Sequence, residues 1–287
     1  MKKLLLIIII TMISILTTAC TNDDMEDINI TVTNYPNEYI TKKLYSKHSN
    51  ITSIYPDGIN IDEYKITKKQ KNEYANSDLF IYNGLIEKER DLAVSLLAIN
   101  PDLKIIDTAY VLETEYSTEE LWLDPSSLLM MAQNIRIGLE EYVTSNILKK
   151  DIDDQYEKLK VELSELDAEY RVTVDNANNP TIIIGNSALK YLSKFNFKVV
   201  SIDSDAKQRA LNDVEALLQN KSNSYIYIFE GDKPNDNTKN ILAKYPEVKL
   251  IELHKINNIS DKDRANKKAY NSLMLSNLDL LKKELYE

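Results

Sequence analysis

Two histidines, one cysteine and 45 carboxylates are the side chains of this 287-residue chain best suited to hold a metal ion or carry a reaction. Neither His48, in Lys47-His48-Ser49, nor His254, after Leu253, is flanked by a motif pairing it with a serine or cysteine nucleophile, so a hydrolytic triad has no support. His48 reads as a solvated residue. Paired carboxylates act as acid and base in sugar hydrolysis, but no motif here positions a sugar or another substrate. Gly58, Gly84, Gly138, Gly185 and Gly231 are too scattered to form a P-loop or a GxGxxG phosphate cradle. A formal net charge of −10 repels phosphodiester backbones, which argues against nucleic acid as a partner. Binding is left as the better expectation than catalysis.

The cysteine has its own context. Lys2 and Lys3 precede an apolar run from Leu4 to Leu16, and Thr17-Thr18-Ala19-Cys20 follows. The run is short for a spanning helix, which needs about 20 apolar residues, and its layout is that of a signal peptide over 1–19. The Ala19-Cys20 junction resembles a bacterial lipobox, in which cleavage exposes the cysteine for lipid attachment; Thr17 stands where that pattern usually has Leu. The resemblance implies an extracytoplasmic lipoprotein held on the bilayer through Cys20. With the only cysteine lipidated, no disulfide, Cys-ligated zinc or thiol nucleophile remains. Loss of Lys2 and Lys3 takes the charge from −10 to −12. Residues 20–27 then form the lipidated cysteine and an acidic tether, Thr21 to Asp27, without apolar periodicity.

From Ile28 onward short β-branched runs alternate with helical patterns. Ile28–Thr33, Ile51–Tyr55, Leu79–Asn83 and Lys104–Asp107 read as strands, and the pattern repeats at Thr181–Ile184, Val199–Ile202, Tyr225–Glu230 and Val248–Leu253. Such alternation predicts two α/β lobes with parallel sheets, over 28–146 and 176–287. Between the strand sets, Asp124-Pro125 is a helix start, and Leu128, Ala132, Ile135, Leu139 and Tyr142 make one apolar stripe. Ile152, Tyr156, Leu159, Leu163, Leu166 and Tyr170 make a second, predicting an interlobe helix over 147–175, about 30 Å long if roughly twenty residues are helical. A coiled coil is the competing reading, disfavoured by the lack of a sustained charge pattern at its flanks. Asn176, Asn178, Asn179 and Pro180 end the helix.

The order of landmarks resembles the zinc and manganese solute-binding lipoproteins of bacterial ABC importers, from about Ile28 to the C-terminus. Ile30-Thr31-Val32-Thr33-Asn34-Tyr35-Pro36 is similar to that family's first strand and Tyr-Pro turn. Ser77-Asp78-Leu79-Phe80-Ile81-Tyr82-Asn83-Gly84 is similar to its ADLxxYNG strand, Trp122-Leu123-Asp124-Pro125 to its WLDP helix start, and Tyr270-Asn271-Ser272-Leu273-Met274 with Asn277-Leu278 to its closing helix. The resemblance implies two Rossmann-like lobes joined by a long rigid α-helix, a metal ion held in the cleft between them, and an ABC permease as membrane partner.

The family's ligands are typically histidines with a glutamate or another carboxylate, and this chain departs at each position. Asp62 stands where the G-x-D-P-H-x-Y loop has its histidine, Glu120 stands before Trp122, Asn186 opens Asn186-Ser187-Ala188-Leu189-Lys190-Tyr191 in place of His or Glu, and His254 stands near the last strand in place of Asp. Asn186 serves equally as an N-cap or as an amide-oxygen ligand. Two carboxylates facing one another repel unless protonated or bridged by a cation, and His254 reads either as a surface histidine at a strand end or as an imidazole that, beside them, suits a divalent transition metal. This oxygen-rich set fits manganese or ferrous iron better than zinc, and the histidine-rich loop common in zinc-specific relatives is missing. The alternative is a cleft that has lost its metal and holds a non-metal ligand, or a structural or adhesive role for the same fold.

Overall fold

A computed structural model of the chain describes residues 23–112 and 120–286. The expected signal peptide and Cys20 lie outside the described residues. Among those described, no helix is long and apolar enough to cross a membrane.

Two parallel four-stranded sheets form the frame. In the first, β1 (Ile28–Val32), β2 (Ser49–Ser53), β3 (Leu79–Tyr82) and β4 (Lys104–Asp107) lie in the order β2-β1-β3-β4, with α1 (Tyr35–Tyr45), α2 (Lys68–Ala75) and α3 (Glu87–Ile99) as crossovers. The second repeats that order as β6-β5-β7-β8, from β5 (Thr181–Ile184), β6 (Lys198–Ser201), β7 (Tyr225–Phe229) and β8 (Lys249–Leu253). Its crossovers are a 3-10 stretch (Ser187–Phe195), α6 (Gln208–Gln219) and α7 (Asp236–Lys244). Central strands covered on both faces need continuous apolar runs, and Leu79-Phe80-Ile81 and Ile182-Ile183-Ile184 are fully buried.

β2 departs from the sequence expectation of Ile51–Tyr55. It pairs with β1 from Ile28 opposite Ser49 to Val32 opposite Ser53, two residues earlier. The apolar Ile54 and Tyr55 leave the ladder and pack with Phe80, Leu92 and Leu96 in a core on one face of the sheet. The expectation followed side chains, whereas an edge strand is fixed by its backbone pairing.

α4 (Pro125–Tyr142) starts as expected, with the Asp124 carboxylate accepting the Ser126 N–H at 3.1 Å. After a short break, α5 (Asn146–Asp175) runs for 30 residues, about 45 Å at 1.5 Å per residue. Ser145 caps it about two turns before the apolar stripe begins at Ile152. All six stripe residues from Ile152 to Tyr170 are buried, where α5 packs against α1, α4 and α9 (Tyr270–Leu285). The stripe is covered within the chain, which leaves it no free apolar face for a coiled-coil partner. One apolar cluster runs without interruption from Val32 and Tyr39, through the α5 stripe, to Phe229 and Tyr270, and so binds the two sheets together.

Candidate functional site

The C-terminal ends of the strands carry the loops that line the cleft, the expected ligand location in open parallel sheets. The loop after β2 turns at Gly58, whose φ of +72° is costly for any residue with a Cβ. That turn lets the Gly58 N–H reach the Ile259 carbonyl at 2.8 Å, while the Asn258 amide donates to the Pro56 and Ile59 carbonyls at 2.9 and 3.1 Å. A loop of the first lobe is thus tied to the second just before Asp62. Glu120 precedes a 3-10 turn (Leu121–Leu123) whose buried Trp122 donates Nε1–H to the Lys255 carbonyl at 2.8 Å. Tyr270 of α9 donates its hydroxyl to the Trp122 carbonyl at 2.5 Å.

Asp62 and Glu120 line one cavity of about 300 Å³ together with Asn34, Glu89, Trp122 and Lys255. Within it the Lys255 ammonium stands 3.5 Å from Glu120 Oε1, and the two side chains are only 19% and 20% exposed. Glu89 is buried and receives the Thr33 hydroxyl at 2.5 Å, the Asn34 amide at 3.0 Å and the Asn83 backbone N–H at 2.8 Å. A second cavity of about 330 Å³ shares Asp62 and Lys255 and adds Glu230, Asp232 and Ser260.

Asn186 and His254 stand one step behind this second cavity, each tied to a carboxylate that lines it. Asn186 Oδ1 accepts the Ala188 N–H at 2.9 Å, so the N-cap reading is realised, and its amide donates to Asp232 Oδ2 at 2.6 Å. His254 Nδ1 lies 3.0 Å from Glu230 Oε2. That hydrogen bond raises the imidazole pKa above its ordinary value, against the opposing effect of burial. Asn277 of α9 clasps the His254 backbone, accepting its N–H at 2.7 Å and donating to its carbonyl at 2.9 Å.

The family model described as zinc-uptake complex component A, periplasmic (ZnuA) matches residues 30–284. The chain belongs to this family. ZnuA-family proteins are substrate-binding receptors rather than enzymes. The zinc-binding lipoprotein AdcA of Streptococcus pneumoniae is 23% identical over 308 aligned positions, covering 98% of this chain and 61% of AdcA, so the chain spans about three-fifths of the curated relatives it matches. The zinc-bound ZnuA-like domain of that AdcA superposes with a TM-score of 0.72 at 22% identity, covering 91% of this chain and 100% of the domain. The metal-dependent lipoprotein YcdH of Bacillus subtilis gives 0.74 at 18% identity, again covering 91% of this chain and 100% of the other. The laminin-binding protein Lbp of Streptococcus pyogenes gives 0.71 at 19% identity, covering 91% and 99%. At these identities the structural likeness speaks for the fold.

The cleft of this ZnuA-family chain differs from a ready-made metal cage. Among the described residues, no three His, Cys, Asp or Glu side chains stand together so as to hold one metal ion. Asp62 and Glu120 share a cavity, while Asn186 and His254 are held apart from them by Asp232 and Glu230. Sequence reasoning missed Lys255, Glu89, Glu230 and Asp232. Lys255 adjoins His254 in the chain and was discoverable there; Glu89 sits in the charged run Glu87-Lys88-Glu89-Arg90-Asp91, where nothing local marks it as the buried one. The expectation of a solvated His48 is corrected: its ring is mostly buried, with Nε2 3.1 Å from Asp151 on α5.

Proposed function

We propose that this chain is the extracytoplasmic solute-binding lipoprotein of an ABC importer, anchored through Cys20, working with a membrane permease, and binding a divalent metal ion as cargo in the cleft. The observation that carries this reading is the pair of carboxylates, Asp62 and Glu120, lining one cavity at the C-terminal ends of the strands. Asn186 and His254, now bonded to Asp232 and Glu230, would have to move toward that pair to complete the proposed donor set. The Glu230 contact on His254 Nδ1 supports a ligand role, since a carboxylate on one ring nitrogen fixes the tautomer and leaves Nε2 to face a metal. A set dominated by oxygen suits manganese or ferrous iron, although zinc can still bind more tightly in absolute terms because the Irving–Williams order favours it. The relatives named as zinc-binding make zinc the ion against which this preference must be measured.

Thermal shift tests the reading. Manganese binding only to the folded state raises stability by about 2.7 kcal/mol at a hundredfold excess over Kd. Asp62→Ala and Glu120→Ala each abolish that shift, whereas His48→Ala, whose ring contacts Asp151 of α5 and lines neither cleft cavity, retains it. The Lys255–Glu120 pair favours one second reading, a cleft that takes a non-metal ligand or serves an adhesive role. Wild-type protein unshifted by manganese, ferrous iron and zinc near neutral pH decides for that second reading.

A further inference from the structure

The segment that carries Lys255 is held with unusual thoroughness. Asn277 clasps the backbone of His254, Trp122 bonds the Lys255 carbonyl, and the Tyr35 N–H bonds the Asn257 carbonyl at 3.0 Å. Between them Ile256 takes a φ of +59°, a left-handed conformation that is costly for a β-branched residue and persists only where the surroundings impose it. Ile256 itself is buried in the apolar cluster joining the lobes. The outcome of this constraint is that the Lys255 side chain lies in the cleft, lining both cavities and facing Glu120. The neighbouring cation, Lys88, is otherwise engaged: its ammonium donates to the Ile61 and Tyr64 carbonyls at 2.8 and 2.9 Å, steadying the Asp62 loop.

The Lys255–Glu120 contact is nonetheless loose. Charge-assisted hydrogen bonds between ammonium and carboxylate close to about 2.7–2.9 Å, and this one stands at 3.5 Å. The ammonium therefore compensates the carboxylate by charge, without the geometry of a locked pair. A divalent ion approaching Glu120 meets a positive charge already there, and the lysine's flexible four-carbon stem allows that charge to swing away.

We propose that Lys255 is a tethered counter-cation of the cleft: it occupies the place beside Glu120 that a divalent cargo must take, and so sets how weakly the receptor holds its metal. The proposal rests on the receptor reading above, and it adds the residue that competes with the cargo. Electrostatic repulsion between a divalent ion and an ammonium a few ångströms away opposes binding in a partly buried cavity, where screening by salt is weak. Removing the charge while keeping the apolar stem relieves that repulsion.

The test is isothermal titration of manganese(II) into the mature chain as wild type, Lys255→Met, Lys255→Gln and Lys239→Met. Lys239 lies on the exposed face of α7, paired with Asp236 at 2.9 Å, so its loss changes the net charge equally but away from the cleft. Lys255→Met and Lys255→Gln should each bind manganese at least tenfold more tightly than wild type, with Lys239→Met unchanged. Circular dichroism identifies a variant that fails to fold, and the other Lys255 variant then decides. Wild-type binding with no gain, or a loss, in the folded Lys255 variants overturns the counter-cation and leaves the receptor reading intact. Binding by the Lys255 variants alone upholds the counter-cation and removes manganese as the wild-type cargo. Binding by none overturns the counter-cation and removes manganese as the cargo, while the receptor reading is decided by the thermal shift with ferrous iron and zinc.

Discussion

The two lobes meet along two seams of opposite character. Around α5 the contact is apolar and continuous, with Ile152, Leu159, Leu163 and Tyr170 buried in a cluster that includes residues of both sheets. Across the cleft it is polar and discontinuous: Glu120 faces Lys255 at 3.5 Å, and Asp62 is exposed. Dispersion and water exclusion fix geometry wherever shapes fit, so the first seam defines one arrangement of the lobes. Swinging the lobes apart would expose part of that cluster to water, at about 25 cal/mol for each Å² of apolar surface. Exchange of a ligand is thereby left to the loops and side chains of the second seam, whose polar groups are only partly matched.

The largest expected effect comes from breaking the apolar seam. Leu163 is 1% exposed near the middle of α5, and proline there removes a helix hydrogen bond, clashes with the preceding turn and deletes a buried leucine. Leu163→Pro should cost about 3 kcal/mol or more, read as a fall in the urea midpoint. An unchanged midpoint would contradict the assignment of α5 as the element that unites the lobes.

The same contrast explains which parts of the molecule were legible in the sequence. The α5 stripe, the Asp124-Pro125 start and seven of the eight strands to within one residue are local patterns. β2 was misplaced because its apolar end serves a neighbouring core rather than the ladder. The cleft depends on pairings distant in sequence. Glu230 meets His254 because Phe229 of β7 pairs with Leu253 of β8, so the next residue on each strand falls side by side. That register is a property of the assembled sheet and leaves no trace in the spacing of either residue. Lys255 likewise acquires its position from Trp122, 133 residues away.

Between the seams lies a polar clamp that sharpens the comparison. Arg264, on the short α8 (Asp261–Ala265), forks onto Glu38 of α1 at 2.8 and 2.9 Å and onto Asp57 through Nη2 at 2.7 Å and through Nε. Glu38 is 4% exposed on its side chain, so this pairing is complete where that of Glu120 is loose. Arg264→Ala leaves Glu38 with Lys42 alone. Breaking a buried pair costs about 3–5 kcal/mol, and the partial exposure of Arg264 reduces the expectation to about 2 kcal/mol. Arg264→Lys should recover less than half of that, because an ammonium lacks the planar fork. Equal stability of Arg264→Ala and wild type in urea would show that the clamp adds nothing to the apolar seam.

The smallest effect concerns the polar margin of α5, and it has a definite sign. Asp151 accepts from His48 Nε2 at 3.1 Å, Gln155 Nε2 at 3.1 Å and Lys47 Nζ at 3.2 Å. Burial works to raise its pKa, but these bonds to the ionised form outweigh it and bring the carboxyl from 3.8 down to about 2. A carboxyl depressed in the folded state binds fewer protons there than in the unfolded chain. Its contribution is therefore fully present above pH 3.8 and is lost as pH falls through about 2. Asp151→Asn should be less stable than wild type by about 1 kcal/mol near neutral pH, below the full linkage value because the site is partly solvated. The difference should shrink between those two pH values and reach a constant floor beneath them, as followed by urea unfolding of both proteins at a series of pH values. A difference that stays flat down to pH 2 would mean that the contacts of Asp151 with His48 and Lys47 do not favour its charge, and that the apolar stripe alone fixes this end of α5.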